Sequence, residues 1–317
     1  MEEKISIVMS YYNEEIKWLK ESVDSILNQT YKNFELIIVI DNPQIMDKDI
    51  IEYFKKLEKE KKVILHKNSK NLGLALSLNK GIELSTGEYI ARMDADDVSM
   101  KNRLCVEMEC LKATDSDMIF SNKETIDENG LIIEKYKPYR FCKENMEKVI
   151  ELYNCVVHPS VLIKKNVLVK LKGYRNFKQA QDYDLWLRLL SEGYKITFID
   201  LPLIRYRIRE NSISQSKTLL QFLTSEYQKK LYEERKHNGN DSFNENHFYT
   251  YLKKNKAFDL EKNKRFNQAC IFLNRGLSRI KSLNIIGVLD ITKAFCCDYR
   301  CIKKLLITLK YRKVVSR

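Results

Sequence analysis

Four short apolar runs separated by three helical patterns constrain the fold of this chain more than any other feature. Strands that alternate with helices of this length imply right-handed crossovers and a mostly parallel sheet with helices on both faces. We therefore predict an α/β fold in which the carboxyl ends of the strands meet along one edge, where such sheets bind ligands. The predicted strands cover residues 5–9, 34–40, 63–65 and 89–93, and the predicted helices cover residues 16–27, 50–61 and 74–84.

Three carboxylates, Asp94, Asp96 and Asp97, follow the fourth apolar run. Carboxylates this close repel one another, and a Mg²⁺ or Mn²⁺ ion that bridges to a phosphorylated ligand is a common way to keep them ionised. The alternative is a solvated acidic turn in which Asp97 caps the next helix. The position at the end of a predicted parallel strand favours the ligand site.

Polar side chains also follow the other predicted strands and are expected at the same edge of the sheet. Asp41 is predicted to contact a nucleobase and Asp94 a ribose, while Asp96 and Asp97 bind a metal and a diphosphate. No Gly-x-Gly-x-x-Gly follows the first strand, which argues against a dinucleotide-dependent oxidoreductase. The other residues predicted to contact the nucleotide in this part of the chain are Ser10, Tyr12, Asn13, Asn71 and Asn79.

Several longer motifs occur in order along the first 215 residues. They are SILNQTYKNFELIIV at 25–39, NLGLALSLNKGI at 71–82, TGEYIARMDADD at 86–97, HPS at 158–160, QDYDLWLR at 181–188 and YRIRENSIS at 206–214. In these motifs the chain resembles the family-2 glycosyltransferases of the GT-A fold. Among them it is most similar to the bacterial enzymes that build capsule, O-antigen or exopolysaccharide units, of the amylovoran-synthesis type.

The resemblance implies an inverting reaction, in which an acceptor hydroxyl attacks the anomeric carbon of a nucleotide sugar and a nucleoside diphosphate leaves. It implies a Mn²⁺ or Mg²⁺ ion on Asp96, with Asp97 or Asp94 assisting, and Asp182 as the general base. The donor is expected to be UDP-linked. A structural alternative for Asp182 is the N-cap of the helix predicted over residues 183–190.

Two positions depart from the pattern of the relatives. Gln181 stands where they usually carry Glu, and Arg209 stands where they often carry His. Because a guanidinium does not exchange protons near neutral pH, we interpret Arg209 as a phosphate-binding residue. His158 and Gln181 are predicted as acceptor-site or supporting residues.

Charge divides the chain near residue 217. Residues 1–217 contain 35 Lys plus Arg and 34 Asp plus Glu, whereas residues 218–317 contain 21 and 9, so almost all of the net charge of +13 lies in the second part. We predict a GT-A glycosyltransferase domain over residues 1–217 and a basic helical region over residues 218–317. Helical patterns in that region cover residues 219–236, 248–260, 263–280 and 285–310.

The end of the chain has the pattern of a basic amphipathic helix. Beyond Asp298 there are seven bases and no acid, interleaved with apolar residues between Ile302 and Leu309. Such a helix is typical of binding to an anionic membrane surface, although a solvated face or a nucleic-acid surface would have the same charge. The resemblance favours the membrane over nucleic acid, because acceptors in the resembled pathways are lipid-linked saccharides of the inner leaflet.

The sequence also limits location and class. It contains no run of about 18 apolar residues, and its first strand follows Met1 closely, so we expect neither a spanning helix nor a signal peptide. The expected location is cytoplasmic, peripheral on the inner face of the membrane. The eight cysteines include no Cys-x-x-Cys pair, which argues against a zinc site.

Two alternative functions remain open from the sequence. A nucleotidyltransferase would share a metal-phosphate site but should have a Gly- and Arg-rich phosphate loop near its N-terminus, and this chain has none. A nucleotide-sugar-binding protein without catalytic activity would not need both the acidic cluster and Asp182. The sequence therefore favours a metal-assisted glycosyltransferase.

Overall fold

Two units make up the computed structural model, which describes residues 2–138, 145–209 and 218–315. The first unit contains residues 2–138 and 155–209, and the second contains residues 145–154 and 218–315. The predicted domain boundary at residue 217 lies outside the described residues. Residues 145–154 belong to the second unit although they precede that boundary in the chain.

Nine strands of the described residues form one sheet in the first unit. They are β1 (Ile5–Tyr11), β2 (Phe34–Ile40), β3 (Val63–Lys67), β4 (Tyr89–Asp94), β5 (Val98–Ser99), β6 (Met118–Ile126), β7 (Ile132–Glu134), β8 (Leu162–Lys164) and β9 (Ile196–Arg207). Their spatial order is β3-β2-β1-β4-β8-β6-β9-β5, with β7 paired to β6. The four predicted strands β1 to β4 are confirmed, and they run parallel.

The helices before residue 210 cover the sheet, apart from one that belongs to the second unit. They are α1 (Ile16–Leu27), α2 (Lys48–Leu57), α3 (Leu74–Leu84), α4 (Arg103–Thr114), α5 (Met146–Leu152), α6 (Lys165–Lys170) and α7 (Gln181–Ser191). Helix α5 is the one in the second unit. Every residue of β2 is buried, as expected for a central parallel strand covered on both faces. On α1 the buried residues include Leu19, Val23 and Ile26, whose spacing gives the helix one apolar face.

One carboxylate lies inside this apolar sheet. Glu35 of β2 accepts hydrogen bonds from Ser6 Oγ and Thr86 N, both at 2.6 Å, and pairs with Lys4 Nζ at 2.6 Å. Burial alone would raise the pKa of Glu35, but the hydrogen bonds from Lys4, Ser6 and Thr86 outweigh burial and lower this pKa to about 2. The buried charge therefore ties the beginnings of β1, β2 and β4 together.

The second unit is helical, as its sequence pattern predicts. After α5 its helices are α8 (Thr218–Asn238), α9 (Glu245–Lys254), α10 (Leu260–Lys281), α11 (Ile286–Cys297) and α12 (Arg300–Val315). The single helix predicted over residues 285–310 is wrong, because the chain is extended at Asp298. Asp298 Oδ1 accepts a hydrogen bond from Arg300 N at 2.9 Å and so begins a new helix. None of the helices described is long and apolar enough to span a membrane.

Candidate active site

The carboxyl ends of three parallel strands bring several predicted site residues together. In the sheet register, Ser10 of β1 is paired with Asp94 of β4 on one side and with Val39 of β2 on the other. The backbone N–H of Asp41 donates to the Tyr11 carbonyl oxygen at 2.8 Å, which fixes the end of β2 beside the end of β1. Ser10, Asp41 and Asp94 therefore lie along one edge of the sheet.

The acidic turn after β4 buries Asp96 and Asp97 and leaves Asp94 partly exposed. Asp97 Oδ1 accepts a hydrogen bond from Arg207 N at 2.8 Å, whereas Asp97 Oδ2 is buried and has no hydrogen-bond partner among the described residues. Asp96 Oδ2 lies 2.9 Å from Arg209 Nη2. The alternative in which Asp97 caps the next helix is wrong, since α4 begins further along the chain and Asp97 binds the end of β9 instead.

Negative charge in this turn is only partly compensated. The pKa of Asp96 is raised to about 7, first by burial and then by the Asp94 carboxylate, against the opposing effect of Arg209. Burial and the carboxylates of Asp96 and Asp94 also raise the pKa of Asp97 well above its usual range. Arg92 Nη2 pairs with Asp94 Oδ1 on the other side of the turn. An added cation would therefore be stabilised at this position.

Two arginines near the end of β9 hold the turn. β9 pairs antiparallel with β5, the short strand directly after the turn, and so reaches the acidic residues. Arg207 is buried, its Nε donates to the Asp96 carbonyl oxygen at 2.7 Å, and its Nη2 pairs with Glu21. Arg209 was predicted to bind phosphate. Its guanidinium lies 5.5 Å from the centre of the Trp18 ring. No separate signal in the sequence marks Arg207, because its partners lie far away in the chain.

Helix α1 supports the same turn through residues of the SILNQ motif and the turn of helix before it. Ser22 Oγ donates to the Asp94 carbonyl oxygen at 2.7 Å, and Ser25 Oγ accepts from Ser99 N at 3.0 Å. The buried Gln29 donates from Nε2 to Ser99 Oγ at 3.2 Å. This motif therefore supports the acidic turn through the hydrogen bonds of Ser25 and Gln29 with Ser99.

Asp41 is buried, and the loop before α3 engages both of its carboxylate oxygens. Oδ1 accepts from Asn68 Nδ2 and from Leu72 N, both at 2.8 Å, and Oδ2 accepts from Gly73 N at 2.8 Å. The exposed Asn71 accepts from the same Gly73 N at 3.0 Å. In this structure Asp41 thus orders the loop that carries Asn71.

The turn between β1 and α1 contains two more residues that were predicted to contact the nucleotide. Tyr12 and Asn13 are exposed at the end of β1, and Tyr12 N donates to Glu14 Oε2 at 2.9 Å. Their side chains are accessible at the same edge as Ser10. The structure places them where a ligand at the strand ends would meet them.

Helix α7 carries two acidic residues in very different environments. The helix begins at Gln181, and Ala180 in the left-handed conformation is its N-cap, so the alternative in which Asp182 caps this helix is wrong. Asp182 lies in the first turn and is partly exposed, where the helix dipole favours an ionised carboxylate. Asp184 is fully buried and pairs with Arg188 Nε at 2.8 Å, and Gln181 is also buried.

Tyr174, which was not predicted as a site residue, forms a hydrogen bond with the predicted residue His158. Its hydroxyl lies 2.9 Å from His158 Nε2. Burial raises the pKa of Tyr174, Arg92 opposes this rise, and the carboxylates of Asp182 and Asp94 add to it. Burial, helped by Arg92, lowers the pKa of His158 well below its usual range. A neutral His158 therefore shares a hydrogen bond with Tyr174.

Asn79 fixes the backbone at this tyrosine. Its Nδ2 donates to the Tyr174 carbonyl oxygen and its Oδ1 accepts from Tyr174 N, both at 2.8 Å. Arg188 Nη2 donates to the Gly173 carbonyl oxygen at 2.7 Å. Gly173 has φ +64°, and a Cβ there would lie 2.3 Å from Asn79 Oδ1, so both conformation and space require glycine. The amide of Asn79, predicted to bind the nucleotide sugar, is thus engaged in positioning Tyr174.

The acidic turn fits a phosphate-bound divalent cation better than a closed metal site. Across the described ranges no group of three His, Cys, Asp or Glu side chains converges as a metal cage. Mg²⁺ at phosphate sites commonly binds one or two carboxylates and completes its shell with phosphate oxygens and water. The buried Asp97 Oδ2 without a hydrogen-bond partner, next to Asp96, is the observation that fits such an ion.

A sheet of this topology, with an acidic turn at its carboxyl edge, is the architecture of the GT-A glycosyltransferases. Residues 6–171 match the family described as Glycosyl transferase family 2, and the chain belongs to this family. The fold and the family predicted from the sequence are both confirmed.

Two glycosyltransferases align with about two thirds of this chain. The chain is 40% identical over 217 residues to an uncharacterized glycosyltransferase of Methanocaldococcus jannaschii, an alignment that covers 67% of this chain and 74% of the relative. It is 34% identical over 215 residues to the O-antigen biosynthesis glycosyltransferase WbnJ of Escherichia coli, covering 67% and 82%. The crystal structure of S. aureus TarS 1–349 in complex with UDP-GlcNAc matches with a TM-score of 0.59 at 15% identity, covering 98% of this chain and 92% of that one.

Proposed function

We propose that this glycosyltransferase transfers a sugar from a UDP-linked donor to a hydroxyl group of a lipid-linked saccharide, with inversion, during synthesis of a surface polysaccharide. The observation that carries the proposal is the acidic turn at the carboxyl end of β4, where the buried Asp97 Oδ2 has no hydrogen-bond partner among the described residues and Asp96 contacts Arg209. The names of relatives support the pathway class, since one is an O-antigen enzyme and another a putative teichuronic acid biosynthesis glycosyltransferase of Bacillus subtilis. The TarS complexes with UDP and UDP-GlcNAc support the donor class.

Asp182 is the proposed general base. Its carboxylate is partly exposed and lies in the first turn of α7, where the helix N-terminus favours the ionised form. An ionised carboxylate can accept the proton of the acceptor hydroxyl as that oxygen attacks the anomeric carbon. The neighbouring Asp184 does not suit this role, because it is fully buried and paired with Arg188.

The donor is proposed to lie along the strand ends of β1, β2 and β4. Asp94 binds the ribose, and Arg209 binds the diphosphate, whose charge would compete with Asp96 for the guanidinium. Asp41 acts through the loop that it orders, and this loop offers Asn71 to the nucleoside. The remaining contacts to the nucleotide are proposed to come from Ser10, Tyr12 and Asn13.

Asp96 and Asp97, with Asp94 beside them, would hold a Mn²⁺ or Mg²⁺ ion. When bound, such an ion stabilises the negative charge that develops on the leaving diphosphate. Arg207 keeps these carboxylates in place, since it binds the backbone of Asp96 and the side chain of Asp97.

His158, Tyr174 and Gln181 are proposed to support the acceptor side. The hydrogen bond between His158 and Tyr174 holds both rings, and Asn79 holds the backbone of Tyr174. These hydrogen bonds therefore hold Tyr174 in place beside His158. A fixed polar group at this place can orient the hydroxyl that attacks.

The enzyme is proposed to work on the cytoplasmic face of the membrane, as a peripheral protein. A lipid-linked acceptor must be met at the bilayer surface. The last helix, α12, has a half-exposed apolar row at Ile302, Leu306 and Leu309 together with exposed bases. These features fit a surface that binds anionic lipid.

Hydrolysis and transfer assays over a panel of nucleotide sugars, with and without Mn²⁺, test the proposed chemistry. We expect activity with a UDP-sugar, loss of activity in EDTA, and recovery when Mn²⁺ or Mg²⁺ is added back. Asp96→Asn should lower turnover by roughly 10²-fold or more because the charge that holds the ion is lost. The folding transition should stay near that of the wild type, since the substitution preserves the shape of the side chain.

The matched control is Asp115→Asn, which removes an exposed carboxylate in a left-handed turn distant from β4 in the sequence. Its activity should equal that of the wild type. Full activity in EDTA would contradict the metal, and activity only with non-UDP donors would contradict the donor class.

A further inference from the structure

The hairpin formed by α10 and α11 exposes a cluster of apolar side chains, here called the hairpin tip. We propose that the hairpin tip inserts into the interfacial layer of an anionic lipid bilayer. The proposal rests on the proposed membrane association of the enzyme and assigns it to a surface that the basic C-terminal pattern does not include. The hairpin tip consists of Ile280, Leu283, Ile285, Ile286, Val288 and Leu289.

The exposure of these residues is extreme for large apolar side chains. Leu283 is 96% exposed, Ile285 84% and Leu289 61%. Leu283 also has φ +60°, a conformation that costs an ordinary L-residue energy and suits Asn or Gly better. An exposed leucine at this position does not stabilise a surface that is in contact with water. The presence of Leu283 therefore indicates that an apolar environment covers its side chain.

The geometry of the hairpin explains why these side chains point outward. At Gly276 and Gly287 the two helices are in backbone contact, because a Cβ at Gly276 would lie 2.7 Å from the Gly287 carbonyl oxygen and a Cβ at Gly287 2.6 Å from that of Gly276. At these glycines there is no space between the two backbones, and the side chains of Ile280 and Ile291 lie directly against them. The hairpin is therefore a thin, well-defined element with an apolar end.

Charge around the hairpin tip matches an anionic surface. The bases Arg275, Arg279 and Lys281 and one acid, Asp290, lie in the helical turns beside the hairpin tip. Asp290 pairs with Arg275 Nη2 at 2.6 Å and with Arg279 Nη1 at 2.7 Å, so bases are in excess there. Lys281, next to the apolar cluster, is exposed. Apolar residues rimmed by an excess of bases are the pattern of an interfacial membrane anchor.

A second copy of the chain is the competing occupant of this surface. In a two-fold dimer the same patch meets itself, so the bases on both rims would face like charges. Like charges across an interface oppose association, whereas anionic lipid headgroups would pair with them. The charge pattern therefore favours lipid over a second copy.

Vesicle co-sedimentation of the full chain tests the proposal. The vesicles contain phosphatidylglycerol and phosphatidylcholine, and binding is measured at low and at high salt. Leu283→Asn and Ile285→Asn remove apolar surface without adding charge, and Asn tolerates the backbone at position 283. We expect the wild type to keep a salt-resistant fraction of binding, and each variant to lower vesicle affinity by about tenfold or more.

The matched control is Leu260→Asn, which removes a 78% exposed leucine at the other end of α10. It should bind vesicles as the wild type does, and thermal unfolding should show that all variants fold. Wild-type affinity in the Leu283 and Ile285 variants would overturn the proposal. So would a wild-type dimer that these variants dissociate while their vesicle binding is unchanged. UDP-sugar hydrolysis is measured in parallel, so that failure of the proposed chemistry is recorded separately from failure of membrane insertion.

Discussion

At the scale of residues, α7 shows how one turn of helix can give two carboxylates different tasks. Asp182 is partly exposed in the first turn, whereas Asp184 is buried against Arg188, whose other nitrogens bind the backbone before Tyr174. Burial therefore separates a group that can accept a proton from one that supports the site. The sequence QDYD does not distinguish them.

The two carboxylates should respond differently to the same substitution. Asp182→Asn keeps the size of the side chain but cannot accept a proton, so turnover should fall by ~10²–10⁴-fold while donor affinity and thermal stability stay near wild type. Asp184→Asn should instead lower the free energy of unfolding by roughly 3–5 kcal/mol, because it leaves Arg188 without its charge partner. Steady-state kinetics, donor titration and urea unfolding measure the three quantities. A large loss of donor affinity in Asp182→Asn with little change in turnover would make Asp182 a binding residue.

Glu35 gives a residue-scale prediction about pH. Its folded-state pKa of about 2 lies below the ordinary value of 4.5, so its charge stabilises the fold above about pH 4.5, and this contribution is lost as pH falls towards 2. Glu35→Gln should lower the free energy of unfolding at pH 7 by ~1–3 kcal/mol, and the difference from wild type should shrink below pH 4.5. Urea unfolding at a series of pH values measures this difference.

Glu83→Gln is the control for Glu35, since Glu83 is exposed and pairs with Lys80 at the surface. We expect little change in stability from it at any pH. A pH-independent effect of Glu35→Gln would mean that packing, and not charge, makes residue 35 important.

At the scale of elements, the close approach of α10 and α11 determines which residues fit at their contact. α10 and α11 meet at Gly276 and Gly287, where a methyl group would collide with backbone atoms. Helix propensity alone favours alanine over glycine within a helix by ~1 kcal/mol. Packing and propensity therefore make opposite predictions for the same substitution.

Gly276→Ala should separate these two effects. We expect it to destabilise the protein by ~1–3 kcal/mol, because the new methyl group forces the helices apart. Ser278→Ala, on the exposed surface of the same helix, should be neutral or slightly stabilising. Thermal and urea unfolding measure both variants, and a stabilised Gly276→Ala protein would show that the helices separate without cost.

At the scale of the whole molecule, charge is distributed unevenly between the two units. Most of the excess of bases follows residue 217, and α12 carries several of them on exposed positions. The apolar side of α12 includes the buried Cys301, so removal of the helix would disturb the second unit. Substitution of its exposed bases is the cleaner test of membrane binding.

The triple variant Lys310→Gln, Arg312→Gln and Lys313→Gln should bind acidic vesicles more weakly. Each base near an anionic surface contributes ~1 kcal/mol, so vesicle affinity should fall by about a hundredfold at low salt, and the difference should decrease as salt rises. Lys253→Gln with Lys254→Gln and Lys256→Gln, near the end of α9, is a control of equal charge. Donor hydrolysis should be unchanged in both variants. Equal vesicle binding by the two triple variants would mean that total charge, and not α12, determines binding.

The sequence by itself determined the four parallel strands of the first unit and the helices between them. Its strands β1 to β4 and helices α1 and α3 follow directly from hydrophobic periodicity, which is a local property of the chain. The acidic turn and the strand ends were predictable for the same reason, because parallel strands bring their carboxyl ends to one edge. The family motifs added Asp182, which no local pattern distinguishes from a helix cap.

Only the tertiary structure decided which polar groups are engaged and which are accessible. Arg207, Tyr174 and the buried oxygen of Asp97 depend on contacts between segments far apart in the chain, so no local pattern marks them. Asp41 and Asn79 are residue types that often contact ligands. In the structure, however, their side chains hydrogen-bond to the loop before α3 and to the backbone of Tyr174. Hydrophobic periodicity specifies where an element lies, but the partner of a polar side chain is specified only when the elements pack, because hydrogen bonds require particular distances and directions.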